Sequence, residues 1–241
     1  MAVAVLAILA GTMAPLALKA IDQRRAEATR KSLKLAFEAL FGARDHRLGN
    51  MRADFGFTPS RSYGRLDIMV QKPMQVPRYG RNEGASFFWG YNGPYWHGRL
   101  QDGAPADAWG NPIALDFDRN AQTVQLRSTG GRLRTGAADL KYPPVPVPLA
   151  SLNACVIVAI SGTGQNLRGT IQVRYPGAFG DRLVETALYT IEDRPEQSSV
   201  FWVPAGGMEV VGRPGQGAGW AGFQIPLDLR PGETREVRVQ L

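Results

Sequence analysis

The sequence has little of the chemistry that metal sites and reactive centres need. Its 241 residues include one cysteine and two histidines, so no intrachain disulfide can form. Cys155 lies in the β-branched run LNACVIVAIS, where a thiol usually serves as a small buried hydrophobe. Apart from Asp45 beside His46, neither His46 nor His97 has a cysteine or an acid at metal-ligand spacing. Because Ser, Asp and His also show no triad arrangement, we expect no metal, no cofactor and no enzymatic activity.

Acidic residues are absent from the first eighteen positions, and basic residues are concentrated directly behind them. The net charge is +7, but residues 19–52 hold nine Lys or Arg against four acids, so +5 of it lies in this segment. The remainder is nearly balanced, which excludes a basic nucleic-acid groove spread over the whole fold. The 28 Gly and 17 Pro indicate many turns and short strands after the opening segment.

The opening run MAVAVLAILAGTMAPLAL has no charge. At about 1.5 Å per residue, a helix of this length reaches nearly across a hydrocarbon core. A cleaved signal peptide is the alternative. It is disfavoured because no basic residue precedes the run and Leu18 stands where an A-x-A-like site needs a small residue.

Strong helix formers continue behind this run, without proline or internal glycine until Gly42. We therefore predict one helix over 1–48, forty residues or more in length, ending at Gly42 or Gly49. Its second half is amphipathic, with an apolar stripe formed by Ile21, Leu33, Phe37, Leu40 and Phe41.

Three blocks follow the helix: MRADFGFTPSRSYGRLDIMVQKP, then WGYNGPYWHGRLQDGAPADAWGNPIALDF, then VQLRSTGGRLRTGAADL. In this order, residues 1–142 resemble the type IV pilin-like family, most closely the major pseudopilins of type II secretion. The resemblance implies a long helix packed on a small globular domain with an antiparallel β-meander, here residues 49–142. The family carries a proline within its apolar helix, which Pro15 matches. Its acidic residue is missing from 1–18, so it either precedes Met1 or is not used.

Many major pseudopilins hold calcium in a later loop, and STGGRLRTGAAD is the matching stretch. Ser128 and Asp139 keep oxygen ligands, but the first acid is missing and Ala138 replaces one of the paired acids. Calcium takes six to eight oxygen ligands, and Arg132 and Arg134 add positive charge instead. We therefore expect no calcium site.

The hexapeptide DAWGNP predicts a structural loop rather than a reactive site. Asp107 and Asn111 can cap backbone N–H groups, and Gly110 can adopt a positive φ. Pro112 fixes the exit of the chain, while Trp109 offers apolar surface to hold the turn on the helix.

The proline-rich segment YPPVPVP predicts a stiff connector at 143–148. Residues 149–241 then alternate six or seven strand-like runs with turns, as in an antiparallel β-sandwich. Its ending resembles small prealbumin-like and carboxypeptidase-regulatory-like sandwiches, which implies a fold but no chemistry.

The loop GTGQNLRG is interpreted as a hairpin turn, because it lacks the P-loop lysine. The predicted fold class is thus α+β, a pilin-like unit followed by a separate, autonomous sandwich.

These patterns favour a structural subunit that assembles into a filament. The assembly residues are expected in the apolar helix, at Val3, Val5, Leu6, Ile8, Leu9, Pro15, Leu16 and Leu18. The partners would be further copies of the chain, the cytoplasmic membrane before assembly and the assembly machinery. The final location would be an extracellular or periplasmic filament.

The alternative is a monomeric membrane-anchored protein whose sandwich binds a ligand. Trp202, Trp220 and the edge strand REVRVQL are the expected outer contacts.

Overall fold

A computed structural model describes most of the chain, in residues 2–42, 51–57, 66–82, 84–130, 139–162, 167–177, 183–185, 189–192 and 196–241. The side chains of residues 2–12, Ala53 and Tyr189 are outside this description. The helices are α1 (Ala2–Phe41) and α2 (Met51–Phe55), and 3-10 turns cover Asp67–Met69 and Leu149–Leu152. The described strands are β1 (Leu100–Gln101), β2 (Ala104–Pro105), β3 (Ala114–Asp118), β4 (Thr123–Ser128), β5 (Leu140–Pro148), β6 (Asn153–Ser161), β7 (Gly169–Pro176), β8 (Leu183–Glu185), β9 (Tyr189–Ile191), β10 (Glu196–Pro204), β11 (Gly206–Pro214), β12 (Phe223–Leu229) and β13 (Thr234–Gln240).

Helix α1 has the predicted length of about forty residues and ends at Phe41. The Gly42 amide donates the last helical hydrogen bond to the Glu38 carbonyl, over 2.8 Å. Of the two predicted stops, Gly42 is therefore the one used. The boundary predicted at residue 48 is wrong, and residues 43–50 lie outside the description.

Among the side chains of α1 that the structure describes, from Met13 onward, the buried ones lie in the second half of the helix, on a stripe that repeats every three to four residues. Thr29, Leu33, Ala36 and Leu40 are fully buried, and Phe41 is 1% exposed. Such spacing places all five side chains on one helical face, which packs on α2, β4 and β5. The predicted stripe was correct at its C-terminal end, but Ile21 is 44% exposed and contributes nothing to it.

Beneath α1 lies an antiparallel sheet in the order β3-β4-β5. Residues 143–148, predicted as a free connector, form the second part of β5 and pair with β4. Proline lacks an N–H group and is therefore tolerated on an edge strand such as β5. Where the register shifts between Val124 and Leu126, the Gln125 side chain donates to the Pro143 carbonyl over 2.8 Å. The segment is extended, as expected, but it belongs to a sheet.

The C-terminal region is a two-sheet sandwich. One sheet has the order β10-β6-β13, and the other has the order β12-β11-β7-β8, with β9 also paired to β7. Alternate residues of β6 and β7, such as Val156, Val158 and Ile171, point into the core between the sheets. The prediction of a purely antiparallel sandwich is wrong, because β13 pairs with β6 in parallel. GTGQNLRG does not join two paired strands, as a hairpin turn would, because β6 and β7 belong to different sheets; residues 163–166 of it lie outside the described residues.

The middle region covers the outer face of the five-stranded sheet. Phe87 and Trp89 are buried there together with Ala85, and Phe87 lies against Gly207 of β11. Glu209 of β11 is fully buried and accepts hydrogen bonds from both the backbone amide and the hydroxyl of Ser86. Every residue of β11 from Gly206 to Gly212 is consequently buried.

The predicted fold class, α+β with a pilin-like unit and a separate sandwich, is wrong. In the described residues the chain is mainly β, because thirteen strands in four sheets stand against one long helix and one of five residues. The sandwich is also not separate, since its β11 strand is covered on both faces. Sequence patterns report which residues are apolar, but not which of two sheet faces a distant loop will cover.

Candidate assembly surface

The described side chains at the start of α1, from Met13 to Leu18, are apolar and face solvent. All residues from Met13 to Leu18 are exposed, over an axial rise of about 8 Å. The exposed fraction is 67% for Leu16 and 50% for Leu18. A helix that is apolar and uncovered on all sides presents surface that stays unfavourable in water until a partner or lipid covers it.

The predicted assembly residues all lie in α1. Val3, Val5, Leu6, Ile8 and Leu9 belong to the part of the helix whose side chains are outside the description, so their contacts stay a prediction. Pro15 lies within the helix, Leu16 and Leu18 are exposed, and their role in assembly stays a prediction. Among the helices that the structure describes, none combines the length and the hydropathy that crossing a membrane requires.

Behind the apolar surface, the exposed face of α1 becomes charged. Its exposed basic residues include Lys19, Arg24, Arg30 and Lys31. One turn further on, the ammonium of Lys34 lies 3.8 Å from a carboxylate oxygen of Glu38, an i, i+4 pair that is half exposed and so contributes little to stability. The change from apolar to charged surface divides the helix into a segment that must be covered and a segment that water can solvate.

One hydrogen bond connects this helix to the DAWGNP loop. The Ala108 amide donates to the Thr29 hydroxyl over 3.1 Å, and both groups lie at the start of the buried stripe. Inside the loop, Oδ1 of Asp107 accepts the amides of Trp109 and Asn111, over 2.8 and 2.9 Å. The Asp107 carboxylate therefore fixes the loop from inside, and the loop fixes the helix.

The remaining loop residues behave largely as the turn chemistry predicts. Gly110 has a φ of +92°, and its amide donates to the Asp107 carbonyl over 3.1 Å. Pro112 forms an isolated bridge with Ala106. The Trp109 ring lies against Gly130, where a Cβ atom would overlap it, and its expected contact with the helix stays a prediction. The hydrogen bond that connects the loop to the helix comes from Ala108.

The two oxygen ligands that remain from the calcium pattern have protein partners. The Ser128 hydroxyl donates to Oδ2 of Asp107 over 2.6 Å, and Asp139 pairs with Arg127 at 3.5 Å. Arg132, Arg134 and Ala138 lie outside the described residues. In the part of the chain that is described, no group of three or more His, Cys, Asp or Glu side chains could hold a metal ion.

The two tryptophans predicted as outer contacts are not brought together. Trp202 lies on the outer face of β10, is 68% exposed, and is in register with Cys155 on β6. Trp220 belongs near the other sheet, where its ring lies 6.0 Å from that of Phe223 and its Nε1 donates to the Leu167 carbonyl. Trp202 is therefore the more exposed of the two, while Trp220 is half-buried, and a contact role for either stays a prediction.

Several polar residues were missed by the sequence reasoning. Arg52 is 7% exposed, and its guanidinium donates to Oδ1 of Asn153 at the start of the sandwich. Burial lowers the pKa of Arg52 to about 10. Glu209 accepts from Nη1 of Arg174 over 2.7 Å. The lone acid in the apolar run GGMEVV was the available signal for Glu209, whereas Arg52 lies in an ordinary charged segment without one.

Comparisons with known proteins add no family for this chain. A scan against protein-family models and a search of curated proteins each found no match. The pilin-like resemblance consequently rests on the sequence blocks alone, and the function has to be argued from the chain's own surfaces.

Proposed function

We propose that this protein is a structural subunit of an extracellular filament, of the type IV pilus or type II secretion pseudopilus kind. Assembly takes place through α1, whose apolar starts pack against one another at the filament axis. The observation that supports the proposal is the uncovered apolar surface from Met13 to Leu18 on a helix whose second half is attached to the domain by a buried stripe. In this role the protein needs no cofactor and no catalysis.

The two halves of α1 have different tasks in this proposal. The buried stripe from Thr29 to Phe41 keeps the helix attached to the rest of the subunit. The apolar start is held in the cytoplasmic membrane before assembly, by the machinery that builds the filament. After assembly it is covered by the same segments of neighbouring copies, because apolar surface has only lipid or other apolar surface as a favourable environment.

Electron microscopy of the full chain without detergent tests the proposal. Leu16→Asp places a charge in the core of the bundle, where a buried unpaired carboxylate is strongly unfavourable, and should abolish filaments. Leu35→Asp is the matched control, because Leu35 is 52% exposed on the same helix but lies in the half attached to the domain. Deletion of residues 1–18 should likewise give monomers. Filaments that persist in both Leu16→Asp and the deletion would contradict the proposed role of the helix.

The alternative is a monomeric membrane-anchored protein that binds a ligand through its sandwich. It is favoured by one observation, the exposed Trp202 ring beside Val200, which is 55% exposed. This alternative predicts dispersed protein on lipid vesicles and no filaments at any concentration. Uniform filaments of the parent protein would exclude it.

A further inference from the structure

The sheet β10-β6-β13 has two outer edges. Among the described strands, β10 and β13 each pair only with β6, over nine and seven residues. Each of these strands therefore has a row of backbone N–H and C=O groups on its far side, which is a template for another strand.

The two edges differ in how they are protected. Between Gln197 and Val203, β10 has no charged residue, and Val200 and Trp202 are exposed on its outer face. By contrast, β13 carries exposed Arg235, Glu236 and Arg238. Charged side chains on an edge prevent unspecific pairing, whereas a long uncharged edge with an exposed aromatic ring is suited to being covered.

The chain directions allow the edges of two copies to join. Strand β10 is antiparallel to β6, and β13 is parallel to it. A second copy in the same orientation, placed beside the first, therefore brings its β10 antiparallel to β13. Three outward-facing residues of β6, Cys155, Ile157 and Ala159, have a partner on each side. Their partners on β13 are Thr234, Glu236 and Arg238, in that order. Their partners on β10 are Trp202, Val200 and Ser198. If the β10 strand of one copy is shifted along the β13 strand of the next by an even number of residues, the outer side chains of both strands therefore stay on the outer face.

The charges are compatible with this pairing, and chain closure distinguishes it from the symmetric ones. Glu196 and Gln240 are both in register with Ser161, so Glu196 of one copy comes diagonal to Arg238 of the next. Diagonal neighbours on a sheet face are within reach of long side chains. A symmetric pairing, of β13 with β13 or of β10 with β10, instead closes a dimer and leaves the other edge uncovered.

We propose that β10 of one copy adds to β13 of the next copy in antiparallel register, which joins neighbouring sandwiches into a continuous sheet along the polymer. This inference rests on the proposed function, because one strand pairing is a weak contact by itself. In a filament the helix bundle holds neighbouring subunits together, and the second contact then forms at a high effective concentration. The edge pairing sets the orientation of the outer layer rather than driving assembly.

Disulfide trapping in full-length filaments tests the pairing. The parent carries Cys155→Ala, and the test variant adds Ser198→Cys and Arg238→Cys. Within one subunit both positions are in register with Ala159 on opposite sides of β6, roughly 10 Å apart, too far for a disulfide. Between adjoining edges the same positions are about 5 Å apart, so mild oxidation should give a ladder of dimers, trimers and larger species. Companion variants that pair Ser198→Cys with Glu236→Cys or Gln240→Cys cover a shift by two residues.

Each outcome decides the matter. A ladder that needs both cysteines and appears in one register supports the pairing. Dimers from Ser198→Cys alone overturn it in favour of a two-fold contact of β10. Filaments without a ladder in any register overturn it while the proposed function stands. Absence of filaments from the Cys155→Ala parent overturns the proposed function, and this inference with it.

A charge on the uncharged edge gives an independent test. Val200→Lys should reduce the ladder at least tenfold, because a lysine on this edge disfavours strand addition. Val145→Lys is the matched control, since Val145 is 73% exposed on β5, another edge strand. Both variants should melt at the parent temperature. An undiminished ladder in Val200→Lys would contradict the inference.

Discussion

Single residues decide how the DAWGNP loop holds its shape. Asp107 is 1% exposed, and its two carboxylate oxygens accept three hydrogen bonds, from Trp109, Asn111 and Ser128. Each of these donors would lose its partner if the carboxylate were removed. The residue thus acts by accepting hydrogen bonds, and its chemistry is that of an internal cap rather than of an acid or base.

This role predicts a clear difference between two substitutions of Asp107. Asp107→Asn keeps Oδ1 for the two amides, and its NH₂ group can donate to Ser128, whose hydroxyl also accepts. Asp107→Ala leaves all three donors without a partner, and we expect a loss of about 2–4 kcal/mol in the free energy of unfolding. The loss for Asp107→Asn should be under about 1 kcal/mol. Urea denaturation measures both values, and equal losses would contradict the capping role.

The buried Tyr95 predicts a response to alkaline pH. Burial raises the pKa of Tyr95 far above its ordinary range, and the negative charge of Asp54, which accepts its hydroxyl over 3.0 Å, adds to the effect. Because the folded pKa is the higher one, the stabilisation is complete below about pH 10 and is lost as pH rises further, when the unfolded tyrosine ionises. Melting temperatures from pH 8 to 11 should fall more steeply in the parent than in Tyr95→Phe. Parallel curves would refute the assignment.

At the scale of elements, α1 combines a segment that packs on the domain with an uncovered apolar segment, Met13 to Leu18. This division predicts opposite effects of two leucine truncations. Leu40→Ala removes a fully buried side chain and should lower the free energy of unfolding by about 2–5 kcal/mol, as in other core truncations. Leu16→Ala removes a side chain that is 67% exposed, so it should leave the stability of the monomer unchanged and weaken assembly. Denaturation and sedimentation measure the two effects, and a destabilised Leu16→Ala monomer would show that Leu16 has a partner within its own subunit.

The sequence predicts elements here better than their pairing. The run NACVIVAIS matches β6 residue for residue, and REVRVQL was correctly predicted at a sheet edge, because alternation and turn residues are local signals. The parallel pairing of β13 with β6 depends on contacts between residues about eighty positions apart, which no local pattern encodes. The candidate surface follows the same rule. The apolar start of α1 is evident from sequence, whereas the partnership of Thr29 with Ala108 depends on how the chain folds back.

At the scale of the whole molecule, the middle region and the sandwich share a buried polar contact. Glu209 is fully buried between Ser86 of the middle region and Arg174 of β7. Arg174 in turn lies 3.5 Å from Glu185, so the buried acid belongs to a network that reaches the surface of the sheet. A buried carboxylate is tolerated only where such partners surround it. Removing the middle region would leave Glu209 and the neighbouring Gly207 without their cover.

The fragment 149–241 should therefore be less stable than the same residues in the full chain, and Glu209→Gln can locate the difference. In the full chain, Glu209→Gln puts an NH₂ group opposite either Ser86 or Arg174, and it should lower the free energy of unfolding by about 1–3 kcal/mol. In the fragment Ser86 is missing, so the glutamine can direct its amide to water while its oxygen accepts from Arg174, and the cost should be smaller. Urea denaturation of all four proteins closes this double-mutant cycle.

An unfolded fragment would already show that the sandwich depends on the middle region that covers it. A fragment as stable as the full chain, with the same cost for Glu209→Gln, would show instead that the sandwich folds independently and that the contact with Ser86 contributes nothing.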